Sequence, residues 1–186
     1  MPALPAVESC DTPPVTPIRE LADRLEAAAV AVVDLGDAIN AGEPWPLAEV
    51  YGPGPESAWG PREVLAHVSE MLPYWLGEIE LVLDESGRAG SGDEPPAFGR
   101  TEADPLRVEV IGRDRTFPAR ELIDRIDVEG ARVARRLRAL SEAQAGTVGR
   151  HVTRGDLTVS EMAERFLVTH VEGHVTQLRE ILAVAR

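Results

Sequence analysis

A chain of 186 residues with 44% hydrophobic and 27% charged side chains has the balance of one soluble globular domain, long enough to bury a core and far from disorder. Its formal charge of -13 argues against nucleic acid and against an anionic membrane surface as partners. No apolar run reaches the ~18 residues of a membrane-spanning helix.

Residues 1–15 are rich in proline and lack periodicity, which predicts a flexible arm ahead of a single domain over 16–186. The arm has no basic stretch followed by an apolar one, so no signal peptide is expected. The single cysteine, Cys10, cannot close an internal disulfide, and the expected location is the cytoplasm. Every basic residue is arginine, which excludes Schiff-base chemistry on a lysine.

The first helix is expected from Thr16 as N-cap, with Pro17 at the first helical position. Ile18, Leu21, Leu25, Ala28, Val32, Leu35 and Ile39 form its apolar stripe, and Gly42 ends it. From Glu43 to Gly60 the chain is dense in proline and glycine, with Trp45, Tyr51 and Trp59 as apolar anchors of an ordered connection. The second helix opens at Pro61 and carries Val64, His67, Val68, Met71, Trp75, Ile79 and Val82 at helical spacing, so His67 falls on the buried stripe. Pro73 inside it predicts a bend.

Ser86 to Arg115 shows no sustained period, and the segment 106–112, LRVEVIG, reads as a short extended piece. A connection of about 30 residues is long enough for the third helix to run parallel to the second. That third helix is expected over Pro118–Leu140, with Leu122, Ile126, Val133, Leu137 and Leu140 inward. Glu129 falls in the same stripe, either as a salt-bridged surface residue or as an orienting partner of a buried imidazole. Arg132, Arg135, Arg136 and Arg138 form a solvated basic face near the helix C-terminus, where the dipole favours cations.

The loop 142–157 carries His151, and a capping box of Thr158 and Glu161 starts the last helix. Met162, Phe166, His170, Gly173, His174, Gln177, Ile181 and Ala185 recur there at steps of three and four. Four amphipathic helices without a convincing sheet or repeat give an all-α fold, a four-helix bundle with a long crossover connection between helices 2 and 3. Two imidazoles one turn apart can share one metal ion, or can be satisfied core histidines. With His67, three neutral imidazoles would leave a fourth coordination position open, the pattern of a catalytic rather than a structural site. Zinc, nickel and iron all suit such ligands. His151 is placed as a rim residue or proton shuttle.

Trp59, Glu63, Val64, Leu65 and His67 in WGPREVLAH, and the run HVTRGDLTVSE from His151 followed by His170, His174, Gln177 and Leu178, resemble the DinB/YfiT-like family. The resemblance covers the whole chain in helix order. It implies a four-helix bundle with a divalent metal held by His67, His170 and His174. The implied function is metal-dependent, with a thiol S-transferase using a low-molecular-weight thiol and a small-molecule substrate as the main reading. A non-catalytic stress-response binding module and a metal-dependent hydrolase are the alternatives. Glu129 would be an orienting carboxylate and His151 an acid/base at the rim. The family often has a proline after the loop histidine; here Val152 stands, which leaves the role of His151 open. Aromatic residues on the 43–60 loop suggest a symmetric homodimer, with that loop at the interface or capping the metal cavity. Salt screens the net charge enough to permit it.

Overall fold

A computed structural model describes residues 16–49, 51, 56–90 and 94–185; the expected arm, with Cys10, lies outside the described residues. In chain order the elements are α1 (Ile18–Asp34), α2 (Gly36–Ala41), α3 (Pro61–Arg88), β1 (Ala97–Phe98), α4 (Pro105–Asp114) and α5 (Ala119–Arg138). There follow α6 (Glu142–Ala145), β2 (Val148–His151), β3 (Gly155–Thr158), α7 (Val159–Met162), a π-wound stretch over Ala163–Val168, and α8 (Thr169–Val184). No helix among the described residues is long and apolar enough to cross a membrane.

The bundle consists of α1, α3, α5 and the α7–α8 rod, and side-chain pairings give their directions. Arg138 pairs with Asp23 and Glu26 while Ile123 lies against Gly36, so α1 and α5 are antiparallel. Arg136 pairs with Glu80, and Glu121 and Arg125 share a cleft with Ser69 and Pro73, so α5 runs parallel to α3. Thr16 bonds Glu164 and Arg24 bonds Glu172, which makes α1 parallel to the last rod. Trp75 stacks on Phe166 while His67 faces His174, which makes α3 antiparallel to it. The order is therefore up, down, down, up, and the parallel α3–α5 pair requires the long crossover that the 30-residue connection allows.

The core is the expected set of stripes: Leu21, Leu25, Val64, Ile126, Val133 and Leu137 are all 0% exposed. Burying a side chain of this kind is worth about 2 kcal/mol relative to leaving it in water. Two boundaries of the first helix differ from the sequence reading. Helix α1 is capped by Pro17, not Thr16, because the Thr16 hydroxyl is drawn to Glu164 at 3.2 Å. The first stripe breaks at Leu35, whose N–H turns back to Val32 O at 3.2 Å, so α1 and α2 are separate. Helix α3 continues past Pro73 as one unbroken element.

The segment 106–112 is helix, not strand. Asp104 caps it by accepting the Arg107 N–H at 3.0 Å, Pro105 takes the first position, and Arg107, Ile111 and Asp114 turn inward at helical spacing. A small sheet also exists, in the order β1-β2-β3, with β1 parallel and β3 antiparallel to β2. Its strands are two to four residues long, too short for an alternating pattern to register.

The loop after α2 is held by a buried carboxylate. Glu63, 0% exposed, accepts from Ala48 N at 2.9 Å, Gly60 N at 3.2 Å and Arg115 Nη1 at 3.1 Å. Trp45 donates its ring N–H to Ile39 O at 2.8 Å and lies so close to Gly42 that any side chain there would collide with it. Trp59 is 3% exposed and packs against His67 within its own chain. The loop therefore closes over the bundle, and the aromatic argument for a dimer interface loses Trp59.

Candidate metal centre

Three elements meet at one point. His67 comes from the second turn of α3, His170 and His174 from α8, and Glu56 from a single turn of 3-10 helix over Glu56–Ala58. His67 Nε2 and His170 Nε2 are 3.2 Å apart. Glu56 oxygens lie 3.4 Å from His170 Nε2, 3.6 Å from His67 Nε2 and 3.7 Å from His174 Nε2. One donor atom from each of the four residues fits within a 4.8 Å span.

The donor set fits a divalent ion. Ligands at ~2.0–2.1 Å on tetrahedral corners stand about 3.3 Å from one another, close to the separations seen. Three imidazoles and one carboxylate suit zinc, nickel or iron. His174 Nε2 is buried with no hydrogen-bond partner and faces this point.

The tautomer of His174 follows from its neighbour. Gln177 Nε2 donates to the Glu56 carbonyl at 2.7 Å, which leaves Gln177 Oε1 as acceptor, 3.0 Å from His174 Nδ1. His174 must then carry its proton on Nδ1 and keep a lone pair on Nε2. His67 Nδ1 has no hydrogen-bond partner, but Glu70 Oε2 stands 4.0 Å away, an arrangement that attracts the proton to Nδ1. Glu70 is itself gripped by Arg100 at 2.6 Å, and Arg100 lies 3.6 Å over the Tyr74 ring.

Electrostatics favour neutral rings. Burial, followed by the charges of His170 and His174, pushes His67 well below the ordinary imidazole range. Burial and the His170 charge bring His174 down to about 4. Burial alone would raise the Glu56 carboxyl, but the hydrogen bond to His170 and the charges of His170, His174 and Arg107 outweigh it and lower it. Arg107, 4% exposed, grips Glu56 at 2.6 Å. Near pH 7 His67 and His174 are neutral and Glu56 is ionised, the forms that bind metal.

The three expected histidines are thus brought together, and Glu56 joins them as a fourth donor that the sequence did not suggest. His151 lines the same cleft but sits on β2 and is 5% exposed rather than in a loop at the rim. Its Nδ1 accepts from Thr153 N at 3.1 Å, so its proton is on Nε2, which is buried against Gly99 without an acceptor. Burial and the charges of Arg154 and Arg165 hold it below the ordinary range.

Glu129 is not brought to the cluster. It is half-buried on α5 with its carboxylate 2.6 Å from Arg132, because Gly130 rather than Glu129 fills the inward position between Ile126 and Val133. The carboxylates beside the imidazoles are Glu56 and Glu70. The sequence reading missed both, although the position of Glu70 three residues after His67 on one helix was a signal for it.

A crossover bundle with three imidazoles and a carboxylate converging between α3 and α8 defines a helical protein with a candidate metal centre. The chain belongs to the DinB superfamily, whose family model matches residues 7–178. No curated protein and no solved structure matches it.

Proposed function

We propose that the chain is a divalent-metal-dependent enzyme of the thiol S-transferase type, acting on a low-molecular-weight thiol and a small electrophile. The observation that supports this reading is the access to the donor cluster. His67, His170 and Glu56 share a cleft of about 500 Å³ with Trp75, His151 and Phe166, within the size range of small-ligand sites. A purely structural ion needs no such cleft.

His67, His170 and His174, with Glu56, would hold the ion. When bound, it would lower the pKa of a thiol or water and polarise an electrophile. The chain's own residues do the rest. Gln177 fixes the His174 tautomer, Glu70 stands 4.0 Å from His67 Nδ1, and Arg107 grips Glu56 at 2.6 Å. His151 forms part of the cleft wall with its Nε2–H turned against Gly99, so a proton-transfer role would need its ring to move.

A second reading, a non-catalytic binding module, has one observation in its favour. Glu56 completes a set of four protein donors, which is the closed pattern of structural sites. Turnover separates the two. Thiol transfer to an activated aryl halide, lost on chelation, supports the transferase; activity with water alone would assign a hydrolase. Binding without turnover of either kind would support the module.

A further inference from the structure

Charge is spread unevenly around the cleft. The chain carries -13 overall, yet the ionisable groups lining the cleft beside the histidines are Arg100, Arg107, Arg154 and Arg165 against Glu56 and Glu102. Arg100 is neutralised by Glu70 and Arg107 by Glu56, both at 2.6 Å. Arg154 and Arg165 have no ion pair among the described residues. Many surface arginines are paired, such as Arg24 with Glu172, Arg136 with Glu80 and Arg150 with Asp156; Arg154 and Arg165 differ from the exposed Arg120 in lining the cleft.

These two cations line the cleft from different elements. Arg154 lies in the turn between β2 and β3, and Arg165 lies in the π-wound stretch Ala163–Val168. Winding of that kind weakens a helix and concentrates at functional sites. Here it sets Arg165 and Phe166 side by side on the cleft wall. Phe166 stacks on Trp75 with ring centres 4.1 Å apart and 8° between planes, and on His151 at 5.1 Å and 18°. The buried, unpartnered Nε2 of His151 lies in the same wall. An acidic protein repels small anions unless a local field overrides the global one, and two unpaired guanidinium groups supply that field.

We infer that Arg154 and Arg165 receive the acid group of the substrate, so that the cleft takes a small organic anion whose apolar body lies along Phe166. This rests on reading the cleft as the active site, and it names the substrate class for it.

Calorimetric titration of the full chain with benzoate, benzamide and inorganic phosphate tests it, on metal-loaded and on chelator-treated protein. Benzoate should bind, and its neutral analogue benzamide should bind about tenfold more weakly or worse. The double variant Arg154→Gln/Arg165→Gln should lose about tenfold or more in benzoate affinity, while Arg120→Gln, an exposed arginine away from the cleft, should lose none. Phosphate should bind more weakly than benzoate; equal affinity would overturn the role given to Phe166. Absence of benzoate binding, or equal binding in the double variant, would overturn the inference. Binding that vanishes on chelation but ignores the arginines would make benzoate a metal ligand only, overturning the inference and leaving the metal centre intact. Arginine-dependent binding by a protein that takes up no metal would support the inference and defeat the metal reading.

Discussion

Gln177 Oε1 lies 3.0 Å from His174 Nδ1 while the other end of the same amide donates to the Glu56 carbonyl at 2.7 Å. One side chain therefore sets the tautomer of an imidazole in the candidate metal centre and anchors the turn that carries Glu56. Gln177→Ala should weaken zinc binding by roughly 10–100-fold, the usual cost of losing an orienting partner. Calorimetry with zinc checks this; an unchanged affinity would mean that His174 orients itself.

Glu56 makes a separate prediction. Glu56→Gln keeps the shape but removes the charge, and should lower metal affinity by about tenfold or more if the carboxylate is a donor. The variant also removes the charge that Arg107 grips in a buried setting, so stability should fall as well, by about 1–3 kcal/mol. Unchanged metal affinity with reduced stability would show that Glu56 serves only Arg107.

The pH dependence has a definite sign. His67 and His174 are held below their ordinary values in the folded chain, so the unfolded chain binds protons first as pH falls. Their contribution to stability is complete above about pH 6.5 and is lost as pH falls towards about 4. For His174 alone this corresponds to something on the order of 3 kcal/mol. Thermal melts of chelator-treated protein should show the loss in that window, and His174→Gln should flatten it. A melting temperature constant from pH 7 to pH 4 would contradict the buried, neutral assignment.

Helix packing can be tested at two glycines. A Cβ at Gly130 would stand 2.5 Å from Ala29 Cβ, where neither helix has a flexible side chain to move. Gly130→Ala should gain about 1 kcal/mol of helix propensity and lose more by forcing α1 and α5 apart, for a net cost of about 1–3 kcal/mol. At Gly77 nothing lies within 4 Å, so Gly77→Ala should stabilise by about 0.5–1 kcal/mol. Chemical denaturation of both variants decides it; stabilisation at both sites would refute the close α1–α5 contact.

Much of this molecule was legible because its order is periodic. His67 and His174 share helical stripes with leucines and valines, and the spacing of His170 and His174 is one turn whatever the tertiary context. The Thr158–Glu161 capping box forms as read, with Glu161 N bonded to Thr158 Oγ1 at 3.2 Å. Periodicity failed where the winding changed. The π-wound stretch shifts the inward face, so that in α8 the buried positions are Val171, His174, Val175, Leu178 and Leu182. Gly173 and Ala185 of the expected stripe are exposed. Helix α4 was missed because two of its three inward residues, Arg107 and Asp114, are charged and fit no apolar template. Glu56 lay beyond reach for a different reason. It belongs to a one-turn element in a glycine- and proline-rich loop, and only the return of that loop over α3 brings it to the histidines.

His67, His170, His174 and Glu56 should hold one divalent ion. Elemental analysis of the purified full chain, before and after His170→Ala and His174→Ala, decides it. The predicted result is one equivalent of zinc, nickel or iron in the parent chain, near-zero content in both variants, and a melting temperature of the parent chain that falls with chelator. A parent chain without stoichiometric metal, with a melting temperature indifferent to chelator and to added zinc, would contradict the claim and leave the imidazoles as core residues.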